Sequence, residues 1–288
     1  GIGRLLKKWV RVLKFSRRDL RQTTICGAAA GVAAVLGTPL GAGIFAVELL
    51  SSHEIEYDYL FPAIVASGIG AVSGRLCGVT RPDWPTLTGA VARTDMLFML
   101  ICFVVVAVVT GLLGICFVLA YKTVTEFRAR MPYWLGPIVG AAICVVCAVG
   151  IRRDGILGSG APMLQTLLDH PAGLSMLVCL LLAIGKSTAT LATIGGGANA
   201  GLTTPLLVVG GLMGGAFVHM AGLDGVAAQS LAVCGAAAML AAVLNVPIAA
   251  AIICIELFGA AAAVPAALGS VIGFAVAKTE VVYSYSTK

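Results

Sequence analysis

One segment occurs twice in this sequence, and each time it carries a proline in the middle of an apolar run. Cys26 to Leu49 reads CGAAAGVAAVLGTPLGAGIFAVEL and Cys234 to Leu257 reads CGAAAMLAAVLNVPIAAAIICIEL, identical at fourteen of twenty-four positions without a gap. Matched alanines alone could reflect composition, but the shared Pro39/Pro247 and Glu48/Glu256 mark a duplication. A proline inside a helix removes a backbone donor and clashes with the preceding turn. Each copy therefore reads as a small-residue helix to Leu36 or Leu244, a break at Gly37-Thr38-Pro39 or Asn245-Val246-Pro247, and a short apolar helix.

The runs around the two copies place them in a bilayer. Hydrophobic residues are 59% of 288 positions and charged residues 11%, leaving too little polar surface for a water-soluble exterior. Met96 to Ala120, Leu135 to Gly150 and Leu174 to Leu191 approach or reach the roughly 20 residues that cross the hydrocarbon core. Backbone broken at that depth must face protein or a water-filled cavity. The fold class is thus an all-α integral membrane bundle, with an inverted-topology repeat of broken helices around 26–49 and 234–257. Further helices are expected at about 57–77, 92–127, 132–150, 160–169, 172–192, 202–220, 224–244, 247–258 and 262–278. Linkers are short, so 1–288 reads as a single transmembrane transport domain. Residues 78–85, with two prolines and a tryptophan suited to the membrane interface, form the clearest loop.

Net charge is +6, concentrated at Arg4, Lys7, Lys8, Arg11, Lys14, Arg17, Arg18 and Arg21, with a second group at Lys122, Arg128 and Arg130. The first group lacks the short apolar heart of a cleavable signal. Positive residues favour the cytoplasmic side, which places both groups there. With some 250 residues of largely apolar helix following, they mark membrane topology and not nucleic-acid binding.

Gly195-Gly196-Gly197-Ala198-Asn199-Ala200-Gly201 directly precedes an apolar helix beginning near Leu202. A helix start leaves backbone N–H groups unpaired and carries about half a positive charge, enough to hold an anion without a full cation. A lysine would hold a small anion too tightly to release it, whereas partial charges bind weakly. Close helix packing is the other reading of these glycines, and it is the reading for Gly210 and Gly214. The counterpart of this element in the first copy, at an offset of 208, would fall before Gly1, so the first half of the site is expected to lie outside this chain. Cys144 and Cys147 read as packing residues, and no cysteine or histidine spacing fits a zinc site. His53-Glu54 begins like a zinc-protease helix, but Tyr57 stands where the second histidine is needed.

These residues resemble the CLC family of chloride channels and proton-coupled chloride antiporters. Gly27 through Pro39 to Glu48 is similar to that family's GAAAGxAAAFxAPLxGxxFxxEE segment. Lys186-Ser187-Thr188-Ala189-Thr190 with Gly195 to Pro205 resembles its KxxxT…GxGxPGGxFAP element, and Gly235 to Glu256 resembles its GMAAxLAAxxRAPLTxxxxxxEMTG segment. The matches run in the family's order over nearly the whole chain.

The resemblance implies a homodimer in a lipid bilayer, a bacterial plasma membrane, in which each subunit has its own anion pathway. Chloride is the transported ligand and no cofactor is implied. The backbone amides of Leu202 and Thr203 would contact the anion, with Gly197 and Gly201 leaving them uncovered. Tyr283 falls where the family supplies a tyrosine hydroxyl, with Tyr285 as the alternative match. The family's Gly-Ser-Gly-Ile-Pro and gating Gly-x-Glu-Gly-Pro loops have no match here and would precede Gly1, so the chain reads as N-terminally truncated and is not expected to form a gated pathway by itself. Where antiporters of the family have a second, proton-relaying glutamate, this chain has Leu49. Glu48 remains for a proton pathway or for capping a helix end. Lys186 is read as support for the Gly-rich element. Two other classes stand beside this reading: a secondary transporter of different fold carrying another anionic substrate, and an intramembrane enzyme, for which no nucleophile and base or paired aspartates lie together in the expected spans.

Overall fold

The computed structural model describes residues 16–50, 56–80, 82, 84–87, 96–151, 155–171, 173–198 and 201–278. The regular secondary structure among these residues is entirely helical, with no strand. Among the described residues, six helices are long and apolar enough to cross a membrane. The chain divides into two compact units, residues 1–81 and 82–288.

The first unit holds α1 (Arg17–Leu36), α2 (Pro39–Leu50) and α3 (Tyr57–Leu76). A capping box starts α1: Asp19 N–H donates to Ser16 Oγ at 3.2 Å, and Asp19 Oδ2 accepts from Ser16 N–H at 2.8 Å. These bonds, the backbone one foremost, hold the Asp19 carboxyl below the usual aspartate range. Gly37 ends α1 in the left-handed region, at φ 78°, and Pro39 opens α2. Small residues let α3 lie against α1, so that a Cβ on Gly70 would fall 2.4 Å from the Ala30 carbonyl oxygen. Arg18 pairs with Asp58, and Arg21 with Glu56 at 2.8 Å, tying the basic start of α1 to the start of α3.

The second unit holds α4 (Met96–Ala129), α5 (Leu135–Ile151), α6 (Ala161–Asp169), α7 (Met176–Gly195), α8 (Thr203–Ala221), α9 (Gly225–Leu244), α10 (Pro247–Phe258), a 3-10 turn (Ala260–Ala262) and α11 (Ala263–Ala277). At its centre is α9, where every residue from Ser230 to Leu244 is buried. It is apolar on all sides, as a helix enclosed by others must be. Gly210 and Gly214 of α8 bring the two backbones together: a Cβ on either would lie 2.2 or 2.1 Å from the carbonyl oxygens of Gly235 and Leu231. That bears out the packing reading of this glycine pair.

The expected helices are all present, and most bounds lie within three residues of expectation. The exceptions are α4, whose expected first residues 92–95 lie outside the described residues, and α7, expected at 172–192 and found at Met176–Gly195. Ser175 is extended at ψ 156°, so the helix starts after it, and the backbone stays helical into the glycines until Gly197 turns to φ 91°. Trp84, in the loop expected near the membrane interface, is covered by protein. It is only 9% exposed and meets the Phe258 ring edge-to-face at 5.7 Å. Leu87 N–H donates to the Phe258 carbonyl at 2.7 Å, fixing this segment over the end of α10.

Candidate anion-binding site

Within the second unit, α8 starts without a side-chain cap. Leu202 is its N-cap residue; its carbonyl accepts from Leu206 N–H at 3.0 Å, but no side chain bonds the first turn. Leu202 is buried, Thr203 half-buried and Gly201 exposed. The N–H groups of Thr203 and Thr204 have no hydrogen bond to a described residue, and Pro205 contributes no donor. This end of α8 therefore offers unpaired N–H groups and the positive pole of the helix dipole.

The second positive element is Lys186, in the middle of α7. Its side chain is 2% exposed, and its ammonium donates to the carbonyl oxygens of Gly158 at 2.6 Å, Ile156 at 3.0 Å and Gly155 at 3.4 Å. A buried cation in a membrane span is costly unless paired with such acceptors. The three carbonyls converge because Gly155, Gly158 and Gly160 have φ values of 97°, 70° and 79°, a region closed to most side chains. A Cβ on Gly160 would also meet Lys186 Cε at 2.9 Å. In the sequence, Lys186 reads as support for the Gly-rich element before α8. Its ammonium instead holds the Gly155–Gly158 turn, and glycine spacing alone could have flagged that turn in the sequence.

Both elements open on one cavity of about 400 Å³. Gly201, Thr204 and Pro205 line it from the α8 end, Lys186, Thr190 and Thr193 from α7, Gly158 and Ser159 from the turn, and Cys144 from α5. Thr190 and Thr193 spend their hydroxyl protons on the carbonyls of Lys186 and Ala189, each at 2.8 Å. The unspent donors beside this cavity are thus the amides that open α8, together with the Ser159 hydroxyl, which only accepts a bond from Ala161 N–H, and the Thr204 hydroxyl, which donates to no described residue. Electrostatically the cavity is positive, with no acidic side chain among the residues lining it.

Of the residues expected at the site, Gly201 lines this cavity, and Leu202 and Thr203 form the helix end beside it. Gly197 lines a neighbouring cavity of about 300 Å³, which shares Cys144 and Thr193 with the first. Cys144 Sγ lies 3.4 Å from the Ala189 carbonyl oxygen and 3.5 Å from Thr193 Oγ1, so this cysteine is a wall of both cavities. Asn199, Ala200, Tyr283 and Tyr285 lie outside the described residues. Glu48 sits half-buried in the last turn of α2, in the other unit. No group of metal-ligating side chains occurs among the described residues.

Residues 1–278 match the family described as voltage gated chloride channel. An uncharacterized protein of Methanocaldococcus jannaschii is 30% identical over 278 residues, covering 96% of this chain and 67% of the relative. A chloride/fluoride channel protein of Pseudomonas syringae pv. tomato is 29% identical, covering 95% and 60%. An H(+)/Cl(-) exchange transporter of Vibrio cholerae is 26% identical, covering 89% and 55%. The chain thus spans between 55% and 67% of the length of these relatives. Among solved structures, a CLC-type fluoride/proton antiporter superposes with a TM-score of 0.80 at 24% identity, over 96% of this chain and 67% of the other. A slow cyanobacterial Cl-/H+ antiporter gives 0.68 at 16%, over 94% and 64%. Both show a shared fold, that of an all-α, multi-pass membrane protein with broken helices. With the match across residues 1–278 and a 30% identical relative, this chain belongs to the voltage gated chloride channel family.

Proposed function

We propose that this chain carries out transmembrane transport of chloride or a similar small anion such as fluoride, as a channel or a proton-coupled antiporter. The observation that carries the reading is the uncapped start of α8 opening, with Lys186, on one positive cavity in a member of this family. The backbone amides of Leu202 and Thr203 bind the anion. Gly197 and Gly201 add no side chain of their own over them, and the Tyr283 hydroxyl donates to the same ion. Lys186 contributes field and leaves direct contact to the amides, because its protons are committed to three carbonyls. A fully committed ammonium raises the local potential without forming a tight ion pair, which favours release as well as entry. Proton coupling, where present, runs through Glu48. The whole of 1–288 acts as one transport domain in a homodimer, in a bacterial plasma membrane, with the anion as cargo and no resident cofactor.

Two measurements test this. Titration of halides into the purified chain should show binding that Leu202→Ala leaves nearly intact and Leu202→Pro weakens about tenfold or more, since proline removes one N–H to a charged acceptor. Leu202 has φ −85° and follows a glycine, so proline is compatible with the backbone there. Equal loss in both variants would remove the amide reading. Halide efflux from proteoliposomes holding the full-length protein, with pH recorded alongside, then separates antiport from passive conduction, and no flux of any halide from it would sink the anion assignment.

A further inference from the structure

On the far side of α7 from the turn that Lys186 holds, a groove of about 260 Å³ runs between α4, α5 and α7. Its walls are Val124 and Phe127 at the end of α4, Met131 just past it, Val139 and Ile143 of α5, and Leu191 of α7. The surroundings are apolar and open outward: Phe127 is 59% exposed and Ile143 39%. Arg128 is the one charged residue of the lining, and it has no acidic partner among the described residues. Its guanidinium lies against the backbone of Gly197, where a Cβ would fall 2.1 Å from Cζ and Nη1. Arg130 follows, and Tyr133 and Trp134, both exposed, come next. Basic residues followed by exposed aromatics mark the level of the lipid headgroups. An apolar groove between membrane-crossing helices that ends at a cation with no acidic partner among the described residues has the charge and polarity of one ligand class.

We propose that this groove binds an anionic phospholipid, its phosphate on Arg128 and one acyl chain lying between α4, α5 and α7. Basic pockets between transmembrane helices on the cytoplasmic side hold lipid headgroups by this chemistry, and the basic end of α4 is expected on that side by the positive-inside rule. Binding does not depend on which ion the chain moves, so it stands or falls apart from the transport reading.

Trp134 is a built-in reporter. In a Trp9→Phe/Trp84→Phe background, reconstituted into bilayers, brominated phosphatidylglycerol should quench Trp134 with an apparent affinity about fivefold above that of brominated phosphatidylcholine, the preference expected of one cation near the surface. The preference should shrink as ionic strength rises. It should disappear in Arg128→Gln, persist in Arg128→Lys, and persist in Arg130→Gln. Equal quenching by the two lipids would overturn the proposal, as would a preference that survives Arg128→Gln or vanishes equally in Arg130→Gln. Displacement by inorganic phosphate at the same concentration would also overturn it, by making the site one for a free anion. Should Arg128→Gln fail to fold, the lipid preference and its salt dependence in the parent background still decide the question.

Discussion

The two copies of the broken helix share their hydrogen bonds and differ in their surroundings. In the first, Gly37 N–H donates to Ala33 at 2.9 Å and Ala42 N–H to Thr38 at 2.9 Å; in the second, Asn245 donates to Ala241 at 3.0 Å and Ala250 to Val246 at 2.9 Å. The offset is 208 throughout. Even the third helix repeats: a Cβ on Gly70 would meet the Ala30 oxygen at 2.4 Å, and a Cβ on Gly273 would meet the equivalent Ala238 oxygen at 2.4 Å. Burial then diverges. Val35 is 55% exposed while its counterpart Val243 is 0%, although Leu40 and its counterpart Ile248 are similar at 52% and 48%. Neither hydrophobicity nor local geometry separates Val35 from Val243. The second copy has α8 laid against the face that carries Gly235, and within the first unit the face carrying Gly27 has nothing within 4 Å. Backbone breaks thus follow from local sequence, whereas burial follows from which helices are packed around them.

The largest effect should come from those two glycines. Gly235→Ala places a Cβ 2.2 Å from the Gly210 carbonyl oxygen, backbone against backbone. It should cost more than about 4 kcal/mol, the range reserved for severe overpacking. Gly27→Ala, at the same repeat position, should stabilise α1 by up to about 1 kcal/mol through helix propensity. Thermal unfolding in detergent measures both, and equal effects would erase the distinction between the copies.

The breaks should respond alike. Asn245 is the one non-glycine residue with positive φ among those described, at 60°. Asn245→Ala and Gly37→Ala should each cost about 1–2 kcal/mol, the penalty of a Cβ in the left-handed region. The exchanges Asn245→Gly and Gly37→Asn should be nearly silent in the same unfolding assay. A large cost at one break only would show that the two are not equivalent.

A smaller change concerns Thr38, whose hydroxyl is buried without a hydrogen-bond partner among the described residues. The second copy has Val246 there. Thr38→Val should raise stability by about 1 kcal/mol by removing an unsatisfied polar group, whereas a fall in stability would mean that the hydroxyl is bonded.

The smallest effect is at the start of α1. Because the Asp19 carboxyl is depressed by its bonds to Ser16, its stabilisation is present above the ordinary aspartate value and lost as pH falls through the native one. Fraying of α1 in acid, followed by hydrogen exchange, should therefore lose its pH dependence in Asp19→Asn. Asp224, the N-cap of α9, makes no side-chain cap bond, so Asp224→Asn should leave that helix unchanged.

Much of this was legible in the residues because it is local. Proline and left-handed positions dictate breaks in any environment, apolar length dictates spans, and the order of the matched segments pointed to the family. The candidate site was legible in part for the same reason: glycines followed by an apolar run announce an uncapped helix start. The role of Lys186 was not. Its side chain reaches a turn about 30 residues earlier in the chain, and a partner that distant leaves no mark in spacing.

By itself, then, the sequence determined a membrane-embedded helical chain with two broken helices and an uncapped helix start at Leu202, since each depends on dihedral freedom and hydropathy within a few residues. Only the tertiary structure decided that α9 is enclosed, that Trp84 is tucked against Phe258, and that Lys186 and the start of α8 share one cavity. Those outcomes depend on close approach between distant segments, where a single missing Cβ settles which backbones can touch.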